Sequence, residues 1–561
     1  MKVVVDPVTR IEGHLRLQAQ VDGGKVTDVW STSPMYRGIE QVLIGRDPRD
    51  AWVFTQRICG VCTTVSALAS VRAVENALGI TVPDNARLMR NLMGAAQLIH
   101  DHVVHFYHLH GPDWFDVTSA ATADPAKAAA LQASSSSWSK NTTEYFTSVR
   151  DRLTKFVQSG QLGLFAGGYW GHPAYRLPPE GNLMLVAHYL EALEWQRDAA
   201  RIHALLGGKN PHPQTYLVGG MSTPLDPAET SSVGPEILKE LRAINARVLA
   251  FVRDVYVPDL LYLARSYPEY ATSGAGTGNL MSYGEFPDAT GAMLVPSGIV
   301  QRKRPDALER VDQKKITEHV ARSWYSGSTA RHPSEGVTEP AYTGPTPPYK
   351  EIDTSGRYSW SKAPRYEDTV MEVGPLARVM AARAAGVKRV VQLVDNALPA
   401  LGGKADRLYS TMGRMTARAL ETQWLTEQLD GWVKELEANI TAGKLQIADT
   451  TKWDPSTWPA TAVGHGTTEA PRGALGHWIR IADGKIAGYQ IVIPSTWNGS
   501  PRDAKGRRGA WEEALVGTAV HDPAQPVEIL RVVHSFDPCM ACAVHVLDGE
   551  GQIVSELTVV P

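Results

Sequence analysis

The chain has 561 residues, a formal charge of −3 from 56 basic and 59 acidic side chains, and only four cysteines. A chain of this length buries a core large enough to fold without staples, and four cysteines are too few for a disulfide scaffold. The near balance of charge leaves no basic stripe for nucleic acid, and no apolar run reaches the ~18 residues that a membrane span requires.

The first segment, Met1-Lys2-Val3-Val4-Val5-Asp6, reads as a strand and lacks the apolar region and small-residue cleavage site of a signal peptide. Leu15, Leu17, Ala19 and Val21 alternate with Arg16, Gln18 and Gln20, and Asp22-Gly23-Gly24-Lys25 turns the chain into Val26 to Trp30, which predicts a β-hairpin. Thr63 to Leu78 predicts a helix stopped by Gly79. Asp84 is expected to cap a long helix through Leu109, with Leu88, Leu92, Ala95, Ala96 and Ile99 on one face. The Ala- and Ser-rich residues 118–139 are expected at the surface. Leu183 to Leu206, Pro235 to Arg265 and Ala405 to Ile440 are further long amphipathic stretches. Residues 331–365, rich in Pro, Gly and Tyr, predict a long ordered loop. His477 to Ile481 and Lys485 to Ile493 flank Ala482-Asp483-Gly484, a second hairpin. The expected class is α+β, mainly α, with a central bundle of long helices and peripheral β-hairpins.

The cysteines form two pairs, Cys59-Gly60-Val61-Cys62 and Cys539-Met540-Ala541-Cys542, 480 residues apart. A Cys-x-x-Cys turn sets two thiolates on one side of a tight loop, which suits a soft metal. Zinc knuckles usually space their pairs by ~15–20 residues. Closing a loop of 480 residues is still cheap, because the cost grows with the logarithm of length. Neither pair sits in the βαβ pattern of a thioredoxin-like redox turn. The residues themselves leave a structural metal and a reactive metal equally open.

The flanking residues carry more. Arg57-Ile58-Cys59-Gly60-Val61-Cys62 and Asp537-Pro538-Cys539-Met540-Ala541-Cys542-Ala543-Val544-His545 together resemble the two signature motifs of the nickel–iron hydrogenase large subunit. The likeness extends over nearly the whole chain. It includes Asp6-Pro7-Val8-Thr9-Arg10-Ile11-Glu12-Gly13-His14, Arg37-Gly38-Ile39-Glu40, Gly207-Gly208-Lys209-Asn210-Pro211-His212-Pro213, Ala470-Pro471-Arg472-Gly473 and Pro494-Ser495-Thr496-Trp497-Asn498. Lys362 to Tyr366 and Glu372 to Leu376 are similar too, and the membrane-bound uptake type matches best.

That resemblance implies a nickel–iron centre whose iron carries carbon monoxide and cyanide. Cys59 and Cys539 would be terminal on nickel, and Cys62 and Cys542 would bridge the two metals. Dihydrogen would split heterolytically, its proton passing to Cys539 and then to Glu12. Arg472 would hang over the open metal position, oriented by Asp101 and Asp537. Pro471 and Ser495 would line the diatomic ligands. Glu40, the backbone carbonyl of Ile491 and His545 would hold magnesium. His212 would face the nearest cluster of an iron–sulfur small subunit, which must carry the electrons because the four cysteines here are all assigned. A membrane cytochrome b would accept the electrons through that subunit, which would place the heterodimer on the outer, periplasmic face of the membrane. A maturation endopeptidase would cut after His545, leaving residues 1–545 as one interwoven unit and removing the tail 546–561. Both ends of the chain must then meet at one metal site. The usual histidine four residues after the second cysteine is here Ser66, which is shorter and cannot become cationic. His100, His102, His105, His108 and His110 lack a His-Glu-x-x-His order and read as packing and hydrogen-bonding groups. A regulatory dihydrogen-sensing subunit is the alternative; such sensors generally lack the tail that this chain carries.

Overall fold

The alternation in the first thirty residues forms a three-stranded antiparallel sheet in the order β1 (Lys2–Val5), β2 (Arg16–Asp22), β3 (Lys25–Thr32). Leu17, Ala19 and Val21 are buried as the pattern requires. Arg16 and Gln18, expected on the open side, are buried too, and Arg16 is held by Asp6 at 2.6 Å. The computed structural model describes residues 1–228, 232–345 and 352–540.

The helix expected from Thr63 is α1 (Val65–Leu78), closed by Gly79 in the left-handed region at φ 68°. The next, α2 (Asp84–Val104), departs from expectation at both ends. Pro83 is its N-cap, and Asp84 lies in the first turn, accepting from Arg87 Nε at 2.8 Å. The helix does not run on to Leu109; His105–His110 form a wider π turn. There His105 Nε2 lies 2.6 Å from the His534 carbonyl and His110 Nε2 lies 3.0 Å from that of Arg531. Residues 118–139 are largely at the surface but not irregular: Asp116 and Asp124 cap short helices at Val117–Ala120 and Pro125–Ala133. Asp124-Pro125 is itself a helix-start signal.

Two further long helices are α3 (Pro179–Gly207) and α4 (Pro235–Phe251). A π turn at Val252–Tyr256 leads from α4 into α5 (Val257–Ser266), so the stretch read as one helix is three consecutive pieces. In the loop at 331–365, Ala363–Tyr366 pairs antiparallel with Ile316–His319, and residues 346–351 lie outside the described residues. Then come α6 (Pro375–Ala384) and α7 (Thr411–Thr441). Ala405–Leu408 is a separate 3-10 turn, because the Ser410 hydroxyl caps α7 by accepting from Gly413 N at 2.9 Å. Helix α2 packs on α3 and α7, and α4 packs on the same two. Leu88, Leu92, Ile99, Leu183, Leu425 and Val248 belong to their common apolar core. Among the described residues, no helix is long and apolar enough to cross a membrane.

Near the C-terminus, β4 (Thr461–Ala470), β5 (Gly473–Ala482) and β6 (Lys485–Val492) form an antiparallel meander where sequence predicts a hairpin. The extra strand, β4, packs against α1. A Cβ at Gly464 would meet the Ala73 carbonyl at 2.4 Å, and one at Gly466 the Ala69 carbonyl at 2.0 Å. Glycine lets the helix press directly on the strand, and it also erases the strand's propensity signal.

Two C-terminal helices, α8 (Ala510–Leu515) and α9 (Val527–His534), share a core with the N-terminal sheet. Leu17 and Val29 pack in the same apolar cluster as Trp511, Ile529 and Val533. Trp511 Nε1 donates to Ser31 Oγ at 2.7 Å. The N-terminal sheet and residues 510–540 therefore form one body.

Candidate metal centre

Three of the four cysteines converge. The Sγ atoms of Cys59, Cys62 and Cys539 all lie within 4.8 Å of one another and all three residues are buried. Cys542, His545 and the tail lie outside the described residues. Cys59 Sγ accepts from the backbone N–H groups of Val61 and Cys62 at 3.3 and 3.4 Å, so the turn itself aims the sulfur. Cys539 is placed from the other end. Its N–H donates to Ser495 Oγ at 3.0 Å, and Met540 N donates to the Glu12 carbonyl at 2.6 Å. Glu12 and Cys539 thus pair as parallel backbone neighbours. Cys59 and Cys539 Sγ are 3.6 Å apart, well beyond the ~2.05 Å of a disulfide. Ile58, Val65, Ala470, Leu475 and Ile493 wall the sulfurs. Buried, convergent soft donors from two Cys-x-x-Cys motifs fit a thiolate-held nickel–iron group.

Arg472 stands in the turn between β4 and β5 and reaches this centre. Its Nε donates to the Asp537 carbonyl at 2.9 Å, Nη2 to Asp537 Oδ1 at 3.0 Å and Nη1 to Asp101 Oδ2 at 3.3 Å. Burial works against its charge, but Asp537, Cys539, Asp101 and Cys62 overcome that and push its pKa up. Asp101 is pushed up by burial, against the pull of His100 and Arg472. Glu12 is half-buried, and its carboxyl is pushed up chiefly by burial and then by the Cys59 sulfur, with Arg472 and Arg37 opposing. Arg37 fixes the first cysteine turn by donating to the carbonyls of Ile58 and Arg57 at 2.9 and 2.7 Å.

His212 lies against the first cysteine turn. A Cβ at Gly60 would sit 3.6 Å from its Nε2, and its backbone N–H donates to Thr63 Oγ1. Glu40 meets Ile491 through that residue's N–H, which donates to Oε1 at 2.8 Å. The other Glu40 oxygen takes the Thr338 hydroxyl and shares the Lys362 ammonium, 3.5 Å from both Glu40 and Glu318. The described residues therefore bring two carboxylates to this corner, Glu40 and Glu318, with Lys362 between them, and a hard cation on Glu40 would need His545 and a carbonyl as well. The histidine-rich stretch does not converge. His102 faces Glu421 at 2.7 Å, His108 the Tyr189 carbonyl at 3.1 Å and His100 Asp101 at 3.1 Å. Burial lowers His102 and His108 to about 4. Ser66 is buried, and its carbonyl accepts from Thr55 Oγ1 at 3.2 Å.

Sequence reasoning misses the layer beneath Arg472. Arg378, Glu421 and Glu469 are buried side by side there. An arginine on an amphipathic helix reads as a surface residue, and the Gly374-Pro375 helix start one turn before it is the only local hint.

The family model described as nickel-dependent hydrogenase matches residues 37–545, and one described as HoxL-like matches residues 2–30. The chain is 47% identical to the uptake hydrogenase large subunit of Rhizobium leguminosarum bv. viciae, covering 100% of this chain and 97% of the relative. It is 47% identical to the hydrogenase-1 large chain of Escherichia coli K12, covering 98% and 96%. Its fold is similar to the Ni-Fe-Se hydrogenase from D. vulgaris Hildenborough in the reduced state, with TM-score 0.77 and 34% identity over 97% of this chain and 100% of that one.

Proposed function

We propose a mechanism from the premise that this chain belongs to the nickel-dependent hydrogenase family, as the large subunit of a nickel–iron uptake hydrogenase. One observation carries it: three buried thiols from opposite ends of the chain within 4.8 Å of one another, with the Arg472 cation held beside them. Cys59, Cys62, Cys539 and Cys542 would hold the nickel–iron centre, whose iron would carry carbon monoxide and cyanide. When bound, that group supplies the electron-accepting metals against which dihydrogen splits heterolytically.

The chain's own residues manage the charge. Arg472 presents a fixed cation that polarises dihydrogen at the moment of splitting, and its two carboxylate partners pay no reorganisation because they are already in place. The Cys539 thiolate takes the proton. Glu12, backbone-paired to Cys539, takes it next; burial and the neighbouring Cys59 sulfur raise its proton affinity, which suits a relay. Ser495 already receives the Cys539 N–H, which would leave its own O–H to donate toward a cyanide nitrogen, and Pro471 would line the diatomic ligands as well. With the centre's thiolates all committed, electrons leave past His212 to an iron–sulfur small subunit, and from there to a membrane cytochrome b on the periplasmic face.

Residues 1–545 form the working unit, and an endopeptidase removes 546–561. Glu40, the Ile491 carbonyl and His545 would then hold magnesium at the new C-terminus. Purification of the matured heterodimer, metal analysis, infrared spectroscopy and dihydrogen-dependent dye reduction test the reading together. Nickel, iron, bands for metal-bound carbon monoxide and cyanide, and turnover are expected. Zinc without nickel and without those bands would overturn it.

A further inference from the structure

We propose that Arg378 is a positioning residue for Arg472, gripping the turn that carries it and tying that turn to the helix that carries Asp101. An arginine has five N–H donors. In Arg378 all five have acceptors. Nε donates to Glu421 Oε1 at 2.6 Å and Nη2 to Glu421 Oε2 at 2.7 Å. Nη1 donates to Glu469 Oε2 at 2.8 Å and to the Ala470 carbonyl at 2.8 Å, and Nη2 also donates to the Pro471 carbonyl at 3.1 Å. The two carbonyls belong to the residues immediately before Arg472.

Ala470 pairs with Gly473 across the end of the β4–β5 hairpin, so Pro471 and Arg472 are its two-residue connection. A turn that short follows whatever holds its carbonyls. Helix α6 holds it from two points, four residues apart. Arg378 takes the carbonyls. Gly374, the helix N-cap, touches the backbone on the other side: a Cβ there would lie 3.1 Å from the Arg472 carbonyl, and one at Gly473 would lie 2.5 Å from Gly374 N.

The grip has a fixed reference. Glu421, on α7, takes the Arg378 fork with both oxygens, and its Oε2 also lies 2.7 Å from His102 Nε2 on α2. The neighbouring residue on α2 is Asp101, which accepts from Arg472 Nη1. Arg472 is therefore tied to adjacent residues of one helix by two routes: its side chain through Asp101, and its backbone through Arg378, Glu421 and His102. A closed ring of this kind fixes where the guanidinium sits relative to the sulfurs, which a single ion pair to Asp101 would not do. A small misplacement of a charge at a reacting centre costs orders of magnitude in rate.

Lysine at position 378 keeps the charge but has three donors on one point, without the planar fork, so it cannot hold the Glu421 carboxylate, the Glu469 carboxyl group and two carbonyls together. This inference rests on Arg472 acting at the metal centre, and the test separates the two. Arg378→Lys, Arg472→Lys and the double variant are made in the matured heterodimer. Nickel content, thermal-unfolding midpoint, kcat and KM for dihydrogen are measured, with crystal structures of the single variants. Arg378→Lys is expected to keep its nickel, lose on the order of 10- to 100-fold in kcat with little change in KM, and show Arg472 shifted from its 3.3 Å contact with Asp101. In the Arg472→Lys background it should cost almost nothing more. Equal fold losses in both backgrounds would overturn the inference, because a general structural role multiplies whereas a positioning role disappears with the residue it positions. Parent-like turnover of Arg472→Lys itself would sink the reading of Arg472 instead. If Arg378→Lys fails to mature, the near-isosteric Glu421→Gln loosens the same ring and is subject to the same comparison.

Discussion

Replacing Arg472 by lysine isolates geometry from charge. The parent guanidinium makes three hydrogen bonds, two to Asp537 and one to Asp101, and is almost wholly buried. An apolar substitute would leave two carboxylates buried around a missing cation, a loss of roughly 3–5 kcal/mol that would confuse catalysis with folding. Lysine keeps the cation in place of the fork. It can satisfy one carboxylate well and must stand off from the other, so at least one charge-assisted bond is lost, about 1.5–3 kcal/mol. Displacing a preorganised charge from the reacting centre is worth about 3–4 kcal/mol in the transition state, or roughly 100- to 1000-fold in rate. The assay is dihydrogen-dependent dye reduction by the purified heterodimer, normalised to its nickel content. Turnover per nickel should fall by that factor while nickel content and the infrared bands persist. A fully nickel-loaded lysine variant turning over at the parent rate would refute the argument that the fork places the charge.

Three further outcomes follow from the same geometry. Glu12→Gln leaves the backbone contact from Met540 N to the Glu12 carbonyl intact, so metal content should be unchanged while turnover drops by about 10²- to 10⁴-fold; a variant that oxidises dihydrogen normally would remove Glu12 from the relay. The intact mass of an active preparation should correspond to a chain ending at His545, and an active chain retaining Val546 to Pro561 would contradict that. Burial raises Glu469 to about 7 from an ordinary 4.5, so between those values the folded chain binds the proton and the unfolded chain does not. Its contribution to stability is full below about pH 4.5 and is lost as pH rises through 7, a change of roughly 3 kcal/mol. Glu469→Gln should therefore become more stable relative to the parent as pH is raised from the acid side, read from thermal-unfolding midpoints across that window; parallel curves would show that Glu469 stays ionised.

What could be read from the sequence divides along a physical line. The thiols of each Cys-x-x-Cys are legible from their own short pattern, whereas Glu12 and Arg472, which read as surface residues by themselves, are legible only through the family resemblance of the motifs around them. The structure gathers Cys59, Cys62, Cys539, Glu12, Arg472, Asp101, Asp537 and Ser495 around one point. Helix cores were legible for the same reason, since α1, α2 and α3 repeat their apolar residues at helical spacing. Ends and edges were not. Asp84 looked like a cap, but Pro83 already supplies the helix's extended first residue. Strand β4 was invisible because Gly464 and Gly466, which weaken its propensity, are there to let α1 lie on it. The support beneath the site was hidden most completely. Arg378, Glu421 and His102 come from three helices; the sequence marks His102 as a packing and hydrogen-bonding group, but nothing local to Arg378 or Glu421 says that the three meet. Only the fold sets five acceptors around one guanidinium. A motif can therefore name the residues that face a reacting centre, while the groups that hold them to a fraction of an ångström are specified by packing between distant segments, and it is there that substitutions far from any motif should alter rate without altering metal content.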